Sequence, residues 1–345
     1  IALAYEWSVM DKMLRGSTEP KIVRFELIKP ERVAAARRLI LDGLKFAGDA
    51  REAYLAETDD DREWLPNPRR HLTTMLCESC HIPQVHAPAR QQTDWTVLSE
   101  EGGPRIEYRG VDGPPHEATS TIYGYRPVIL PRHQRDGVIR HGPHNLVTSW
   151  YWVAGEPARP VPKELLERAW FDEAGDYRPW VIAVLDLSED GRIQPSELRL
   201  DSEEKVAAVR TALVRAGADR PRIAGSIQPA SLHHGVVAGD FATRRCETCH
   251  TEKSRLTEPF ELSSYVPAGA TAALVGDTNI TMPGRLYEEG GRLLYEPVPT
   301  ASGRYVIGHD RAGWIDWVGA LMVLGTIAGA AAHGLARFAS ARRRD

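Results

Sequence analysis

The chain is poor in cysteine and in net charge, and both shortages exclude broad classes of protein. Its 345 residues contain four cysteines, too few for the disulfide framework of a small secreted domain. The formal net charge is -4, so no positive excess indicates a nucleic-acid partner or general binding to membrane surfaces. There is no low-complexity linker. Hydrophobic residues make up 42% of the chain, which suits ordinary globular cores in two or three domains.

All four cysteines fall in one short motif that occurs twice. Cys77-Glu-Ser-Cys80-His81 and Cys246-Glu-Thr-Cys249-His250 both have the pattern CxxCH. In this pattern two thiols form thioether bonds to a haem, and the histidine becomes the first axial ligand of the iron. We therefore predict two covalent c-type haems, with His81 and His250 as the proximal ligands.

Two other uses of paired cysteines fit the sequence less well. A redox dithiol does not require a histidine after both copies of the motif. The four ligands of one zinc site usually lie closer together than the 169 residues that separate Cys77 from Cys246. Because the haems use every cysteine, no disulfide is expected, and stability must come from packing and ligation.

The only long apolar run lies near the C-terminus. Residues 317–336 are 20 consecutive positions with one ionisable side chain, His333, which is long enough for a helix that crosses a bilayer. Four arginines, at 337 and 342–344, follow the run. Because positive residues stay on the cytoplasmic side, we expect a single span with a cytoplasmic C-terminus and the haem domains outside the cytoplasmic membrane of a bacterium. A buried soluble helix is the alternative.

One face of this helix carries residues that a simple membrane anchor does not require. Gly325 and Gly329 form a GxxxG pair, and His333 follows four residues later on the same face. We expect this face to contact a membrane partner subunit, for which a b-type cytochrome is one candidate. His333 then ligates a haem of that partner, donates a hydrogen bond across the helix interface, or extends to the membrane surface.

A 12-residue segment, Asp186 to Glu197, matches the calcium-binding loop of an EF-hand. It has oxygen-bearing side chains at positions 1, 3, 5 and 9, glycine at position 6 and glutamate at position 12. The predicted calcium ligands are Asp186, Ser188, Asp190, the carbonyl of Arg192, Gln194 and Glu197. The preceding residues 181–185 favour a strand over an entering helix, and a metal-free polar turn is the alternative.

A haem that only carries electrons needs a sixth ligand, and ten histidines remain besides His81 and His250. We select His144, which lies in a turn-like Gly-Pro-His-Asn segment, and His234, which lies just upstream of the second motif, as candidate distal ligands. Met282 is the main thioether candidate. The sequence leaves the pairing of ligands and haems open.

Local patterns predict several further elements. Helical spacing of apolar residues predicts a helix between Pro30 and Glu57. The region from Asp94 to Leu130 alternates like strands, with a turn at residues 101–104. A second hairpin is predicted over residues 285–295, and residues 201–204 resemble a capping box for a helix that ends near Ala216.

The two motifs and the C-terminal run resemble membrane-anchored dihaem and multihaem c-type cytochromes that serve respiratory complexes. The resemblance implies haem, an oxidising extracytoplasmic compartment and electron transfer, but no particular backbone pattern. The expected fold class is α+β, with irregular haem-organised domains, a β-rich middle and one C-terminal transmembrane helix. We divide the chain into a mainly helical first haem region, a β-rich region that ends in the calcium loop, a second haem region and a membrane anchor, over residues 1–90, 91–200, 201–308 and 309–345.

The favoured function is an electron relay between a membrane quinol or b-haem partner and a redox partner outside the cytoplasm. One alternative is a haem enzyme with an open iron site that acts on peroxide, a nitrogen oxide or a sulfur oxyanion. Another is an assembly subunit that holds a larger complex together. The first residues, Ile-Ala-Leu-Ala, lack an initiator methionine and end in a small-x-small pattern, so we also expect upstream sequence with room for further haems.

Overall fold

The computed structural model describes residues 65–115, 117–237, 241–275, 279–302, 305–306 and 313–342. The helix predicted between Pro30 and Glu57 lies outside these residues. The chain divides into two units between Leu72 and Thr73, and all described strands lie in the second unit. The predicted mixture of helix and sheet is confirmed.

Helices and strands alternate irregularly along the chain. The helices are α1 Pro68–Thr74, α2 Cys77–His81, α3 Lys163–Trp170, α4 Pro179–Leu185, α5 Glu203–Ala216 and α6 Gly313–Arg342, and two 3-10 turns cover Cys246–Thr248 and Pro299–Ser302. The strands are β1 Ala89–Asp94, β2 Arg105–Arg109, β3 Val111–Asp112, β4 Thr121–Ile122, β5 Val128–His133, β6 Ile139–Ala154, β7 Arg159–Pro160, β8 Arg222–Ser231, β9 Phe260–Ser263, β10 Ala272–Leu274, β11 Gly284–Glu289 and β12 Arg292–Pro297.

The 16-residue strand β6 organises the main sheet. It pairs antiparallel with β8 over residues 144–153, with β5 at its start, and parallel with β1 near its middle. The seven-stranded sheet runs β10-β8-β6-β1-β2, with β5 and β7 also on β6. Strands from the predicted middle region and the predicted second haem region thus share one sheet, and the four-region division stays a prediction.

Two hydrophobic cores lie against β6. Residues 141–146 of β6 are all buried, and from residue 146 to residue 152 buried and partly buried side chains alternate as the pleat requires. Trp150 packs with Phe260 and Tyr295 of the three-stranded sheet β11-β12-β9. Trp152 packs with Trp170 and the other apolar residues of α3, α4 and α5. The indole of Trp150 also donates a hydrogen bond to Ser263 Oγ at 3.1 Å, so this buried polar atom is satisfied.

Three of the local predictions are confirmed. Strands β1 and β2 form an antiparallel pair around the predicted turn. Strands β11 and β12 form the second hairpin, and its two turn residues, Gly290 and Gly291, both have the positive φ that glycine tolerates. Helix α5 ends at Ala216 as predicted, and the Ser202 side chain at its N-cap accepts a hydrogen bond from the backbone of Lys205 at 3.3 Å.

The last residue of β1, Asp94, has a fully buried carboxyl group. Its Oδ1 accepts hydrogen bonds from the backbone N–H of Thr96 at 2.8 Å and from the Thr96 hydroxyl at 2.6 Å. Its Oδ2 accepts one from the hydroxyl of Tyr265. Burial raises the pKa of Asp94 from 3.8 to about 6, although the hydrogen bonds from Thr96 oppose the shift.

We expect this pKa shift to make folding stability depend on pH. Because the folded state binds the Asp94 proton more tightly than the unfolded state, the stability contribution is full below pH 4 and falls as pH rises toward 6. A shift of this size corresponds to about 3 kcal/mol. Urea unfolding from pH 4 to 7 should show this loss in the wild type and not in Asp94→Asn. The exposed Asp112→Asn should behave like the wild type, and an identical pH profile for Asp94→Asn would disprove the assignment.

Candidate functional site

The first CxxCH motif forms the short helix α2. Helical spacing places Cys77, Cys80 and His81 on one face, because residues three and four apart are neighbours on a helix surface. The helix is held to the start of β6, since Leu76 N–H and the Ser79 hydroxyl donate to the His141 carbonyl at 2.8 and 2.7 Å. Gly142 of β6 permits this approach, because a Cβ there would lie 2.6 Å from the Leu76 side chain.

The imidazole of His81 is oriented by the chain just before the second motif. Its Nδ1 lies 2.8 Å from the Val237 carbonyl. Because a carbonyl can only accept, Nδ1 carries the proton and Nε2 keeps its lone pair. Val237 N–H in turn donates to the His81 carbonyl at 2.8 Å. A second hydrogen bond that fixes the tautomer is typical of a metal-ligating histidine, so His81 fits the proximal position of a haem.

The second motif forms a tighter turn. A 3-10 turn covers Cys246–Thr248, and the N–H groups of Cys249 and His250 both donate to the Cys246 carbonyl, at 3.1 and 2.9 Å. Cys246 is exposed and Cys249 is half-buried, the same order as in the first motif, and none of the four cysteines is in a disulfide. These free thiols are the groups that thioether bonds to haem require.

The two motifs lie together in space, and Arg255 connects them. Its guanidinium donates to the carbonyls of Ser79 and Ile82 in and beside the first motif. Its backbone N–H donates to the carbonyl of Thr248 in the second motif at 2.9 Å. Arg255 is 7% exposed. The sequence alone does not indicate a role for Arg255, because nothing in the CxxCH pattern requires an arginine five residues later.

The pKa values of Cys80, Cys249 and Arg255 also show that the two motifs lie close together. Burial raises the pKa of Cys249 to about 11, Arg255 opposes the shift, and the charge of Cys80 adds to it. Burial also raises the pKa of Cys80. Burial lowers the pKa of Arg255 to about 10, while the two thiols act in the opposite direction. At neutral pH the thiols are therefore protonated and the guanidinium is charged.

A hydrogen-bonded chain of side chains joins the first motif to the main sheet. Arg132 Nη1 donates to His233 Nε2 at 3.3 Å, and His233 Nδ1 donates to Glu78 Oε1 at 3.0 Å. Thr243 N–H donates to the carbonyl of Cys80 at 2.9 Å. Described residues between β8 and the second motif therefore contact the first motif, through His233, Val237 and Thr243.

The two candidate distal ligands differ sharply in environment. The expected turn at His144 is wrong, because residues 142–145 lie within β6 and His144 pairs with both β5 and β8. His144 is fully buried, and its Nδ1 donates to the Gly142 carbonyl at 2.8 Å. Its Nε2 is buried and has no hydrogen-bond partner among the described residues. Burial lowers the pKa of His144 to about 4, with smaller contributions from Arg132 and His233, so the ring is neutral. His234 is exposed.

Met282, the thioether candidate for a sixth ligand, lies beside a hydrophobic core. Met282 packs partly buried against the cluster that contains Trp150. His116 and His309 lie outside the described residues, and His141 Nδ1 donates to the Thr74 carbonyl at 3.4 Å. Of the possible sixth ligands named above, His144 is the one that combines a buried neutral ring with an unpartnered nitrogen.

An open groove of about 270 Å3 lies beside Arg255. Val128 and Phe260 are among its lining residues, as are Arg126 and Glu258, which form an ion pair at 3.7 Å. Arg126 is exposed, and within the described part of the chain it forms no hydrogen bond with either motif. The groove thus combines apolar surface with two arginines and two glutamates, and Arg255 is the lining residue that contacts both motifs.

The predicted calcium loop has a helical entry, which corrects the expectation of a strand. Residues 181–185 belong to α4, because Pro179 at the start of this segment favours the first helical turn. Within the loop, Gly191 has φ of 79° and donates to Asp186 Oδ2 at 2.8 Å. Asp190 Oδ1 accepts from the backbone of Arg192 at 2.9 Å. The loop thus has the turn geometry that the glycine at position 6 predicts.

The acidic side chains of this loop accept hydrogen bonds from its backbone N–H groups. Glu197 Oε1 accepts from the N–H groups of Leu187 and Ser188, at 3.0 and 2.8 Å, and Oε2 accepts from Gln194 at 2.9 Å. These hydrogen bonds lower the pKa of Glu197, and the one from Gln194 has the largest effect. Within the described part of the chain, no three His, Cys, Asp or Glu side chains are grouped to hold a metal ion. Calcium binding stays a prediction.

The C-terminal helix is long and apolar enough to cross a membrane. Within Gly313–Ser340, the most apolar stretch of 18 residues has a mean hydropathy of 1.6, and none of that stretch is buried. Gly325, Gly329 and His333 recur every four residues along α6, which places them on one face. No glycine on this face has a neighbouring atom within 4 Å of an added Cβ.

Known proteins resemble this chain only weakly. No protein-family model and no curated protein matches the chain. It is similar to one solved structure, an octaheme cytochrome c from Shewanella oneidensis, with 13% sequence identity and a TM-score of 0.29. The match covers 55% of this chain and 47% of that chain, about half the length of the solved protein. A likeness this weak establishes neither the fold nor the function of this chain.

Proposed function

We propose that the protein is a membrane-anchored dihaem c-type cytochrome that relays electrons between a membrane quinol or b-haem partner and an acceptor or catalytic subunit outside the cytoplasm. The observation that carries this proposal is the meeting of the two CxxCH motifs around Arg255. Two separate attachment sites at one place in the fold are what a relay needs. Bound haem iron would supply the one-electron redox chemistry.

The chain's own residues perform attachment and orientation. Cys77 and Cys80 would hold one haem and Cys246 and Cys249 the other, through the free thiols. Val237 fixes the ring of His81 so that Nε2 is available to iron. His250 is the corresponding ligand of the second motif.

We infer that His144 supplies the sixth ligand to one of the two haems. Its Nδ1 is held by a carbonyl, and the opposite nitrogen is the unpartnered, lone-pair-bearing atom. It also lies near the first motif, because Arg132 and His233 act on it electrostatically and His233 is bonded to Glu78. Exposed His234 has no comparable support. A closed iron coordination sphere favours electron transfer over catalysis at that iron.

The C-terminal helix would anchor the haem domains to the outer face of the cytoplasmic membrane. Its length and hydropathy support a single span, and the arginines that follow support a cytoplasmic C-terminus. The face formed by Gly325, Gly329 and His333 would contact the membrane partner, since small residues allow close helix packing. Electron direction would follow from the potentials of that partner and of the acceptor.

The first test is the number and spin state of covalent haems in the purified protein of these 345 residues. Mass spectrometry and the pyridine haemochrome assay should give two haems in the wild type. Each double variant, Cys77→Ser with Cys80→Ser or Cys246→Ser with Cys249→Ser, should retain one. A wild-type chain without covalent haem would disprove the proposal. A haem that is high-spin and changes on adding peroxide or a nitrogen oxide would favour an enzyme instead.

The ligand assignment has its own test. Near-infrared magnetic circular dichroism and EPR should show that His144→Ala converts one low-spin haem into a high-spin haem, with both haems still attached. The matched control is His234→Ala, which should leave both haems low-spin. If the control changes and His144→Ala does not, the assignment of His144 is wrong.

We also propose that the loop from Asp186 to Glu197 binds one calcium ion. The helical entry, the positive φ of Gly191 and the order of the oxygen-bearing residues support it. To bind calcium, the Glu197 carboxylate would have to give up the hydrogen bonds that it accepts from the backbone N–H groups of Leu187, Ser188 and Gln194. The loop would then serve stability and not electron transfer.

Thermal unfolding with calcium and with a chelator tests this site. At a calcium concentration a hundredfold above Kd, binding stabilises a fold by about 3 kcal/mol, so the wild-type Tm should rise with calcium. Glu197→Gln should lose the calcium-dependent part of the Tm, whatever its effect without calcium. Glu173→Gln, an exposed carboxylate outside the loop, is the control. Equal Tm values for the wild type in both conditions would exclude the site.

A further inference from the structure

The buried guanidinium of Arg255 has an unusual set of partners. Both terminal nitrogens donate to backbone carbonyls of the first motif region, at Ser79 and Ile82. Nε is buried and has no partner among the described residues. Among those residues, no carboxylate forms an ion pair with Arg255, unlike the exposed Arg126, which pairs with Glu258. A charge that is buried without a carboxylate is costly, so simple stability does not explain it.

The backbone of the same residue is fixed to the second motif. Its N–H donates to the Thr248 carbonyl at 2.9 Å, between the two cysteines of that motif. The turn that contains Arg255 is held by Ser254 and Thr257, which are both buried and exchange hydrogen bonds, one of them at 3.0 Å. One residue therefore joins two attachment motifs that are 169 positions apart in the sequence.

We propose that Arg255 is a positioning residue that holds the two haem-attachment motifs as one unit, so that the two haems form an electronically coupled pair and share its positive charge. This inference rests on the proposed dihaem function. The two carbonyl bonds define the orientation of α2 against the second motif. A positive charge beside both sites favours the reduced form of each iron centre, which carries one positive charge less than the oxidised form.

The test uses the full-length haem-loaded protein and three variants. Arg255→Met removes the charge and both side-chain donors but keeps a long apolar stem. Arg255→Lys keeps the charge and loses the two-pronged donation. Arg126→Met removes an exposed positive charge from the same groove without touching either motif. The readouts are the covalent haem count, the bisignate Soret circular dichroism of coupled haems and the two midpoint potentials.

We expect the wild type to show two haems with a bisignate Soret signal. Arg255→Met should keep two haems, lose most of that signal and lower both midpoint potentials. Arg255→Lys should reduce the signal but retain potentials near those of the wild type, and Arg126→Met should leave the signal unchanged. A purely structural role would change the unfolding midpoint and leave the potentials of the correctly folded fraction in place.

Three results would overturn the inference. One is an unchanged Soret signal in Arg255→Met with both haems attached. If Arg255→Met does not fold, an unchanged signal in Arg255→Lys has the same meaning. The third is a wild type with two haems and no bisignate signal. A wild type without covalent haem is a different result, because it removes the proposed function itself.

Discussion

A buried arginine side chain needs carbonyl acceptors that the surrounding fold brings to it, and the arrangement around Arg255 meets this need with the backbone of the first CxxCH motif. Without those bonds a buried guanidinium would lose its hydration and gain little in return. The contact therefore requires the chain after the second motif to pack directly against the first. The positions of both CxxCH motifs depend on this constraint.

Strand β6 provides the frame on which this constraint acts. Its first residues hold α2 through the His141 carbonyl, and the same part of the strand carries His144. Its later residues place Trp150 and Trp152 in the two cores. Because β8 pairs with ten residues of β6, the chain that leaves β8 emerges beside α2. That exit explains why Val237 reaches His81.

Local patterns predicted those parts of the structure whose causes are local. The hairpin of β11 and β12 follows from two glycines between apolar runs, and α5 follows from its N-cap serine. The run at residues 181–185 was misassigned because five consecutive apolar residues fit either a strand or a buried helix. The helix of α4 was decided by its start at Pro179 and by packing of Val181 and Leu185 in the helical core.

The sequence by itself predicted haem attachment, because CxxCH carries its three functional groups within five residues, and it determined the C-terminal apolar helix, because length and hydropathy are properties of a single segment. It also placed His144 and His234 on equal terms. Only the tertiary structure buried one of them with a free nitrogen and left the other exposed. It also decided that the two motifs meet, and that Arg255 joins them. These contacts depend on sheet pairing and packing between residues far apart in the chain, and no local pattern encodes such pairings.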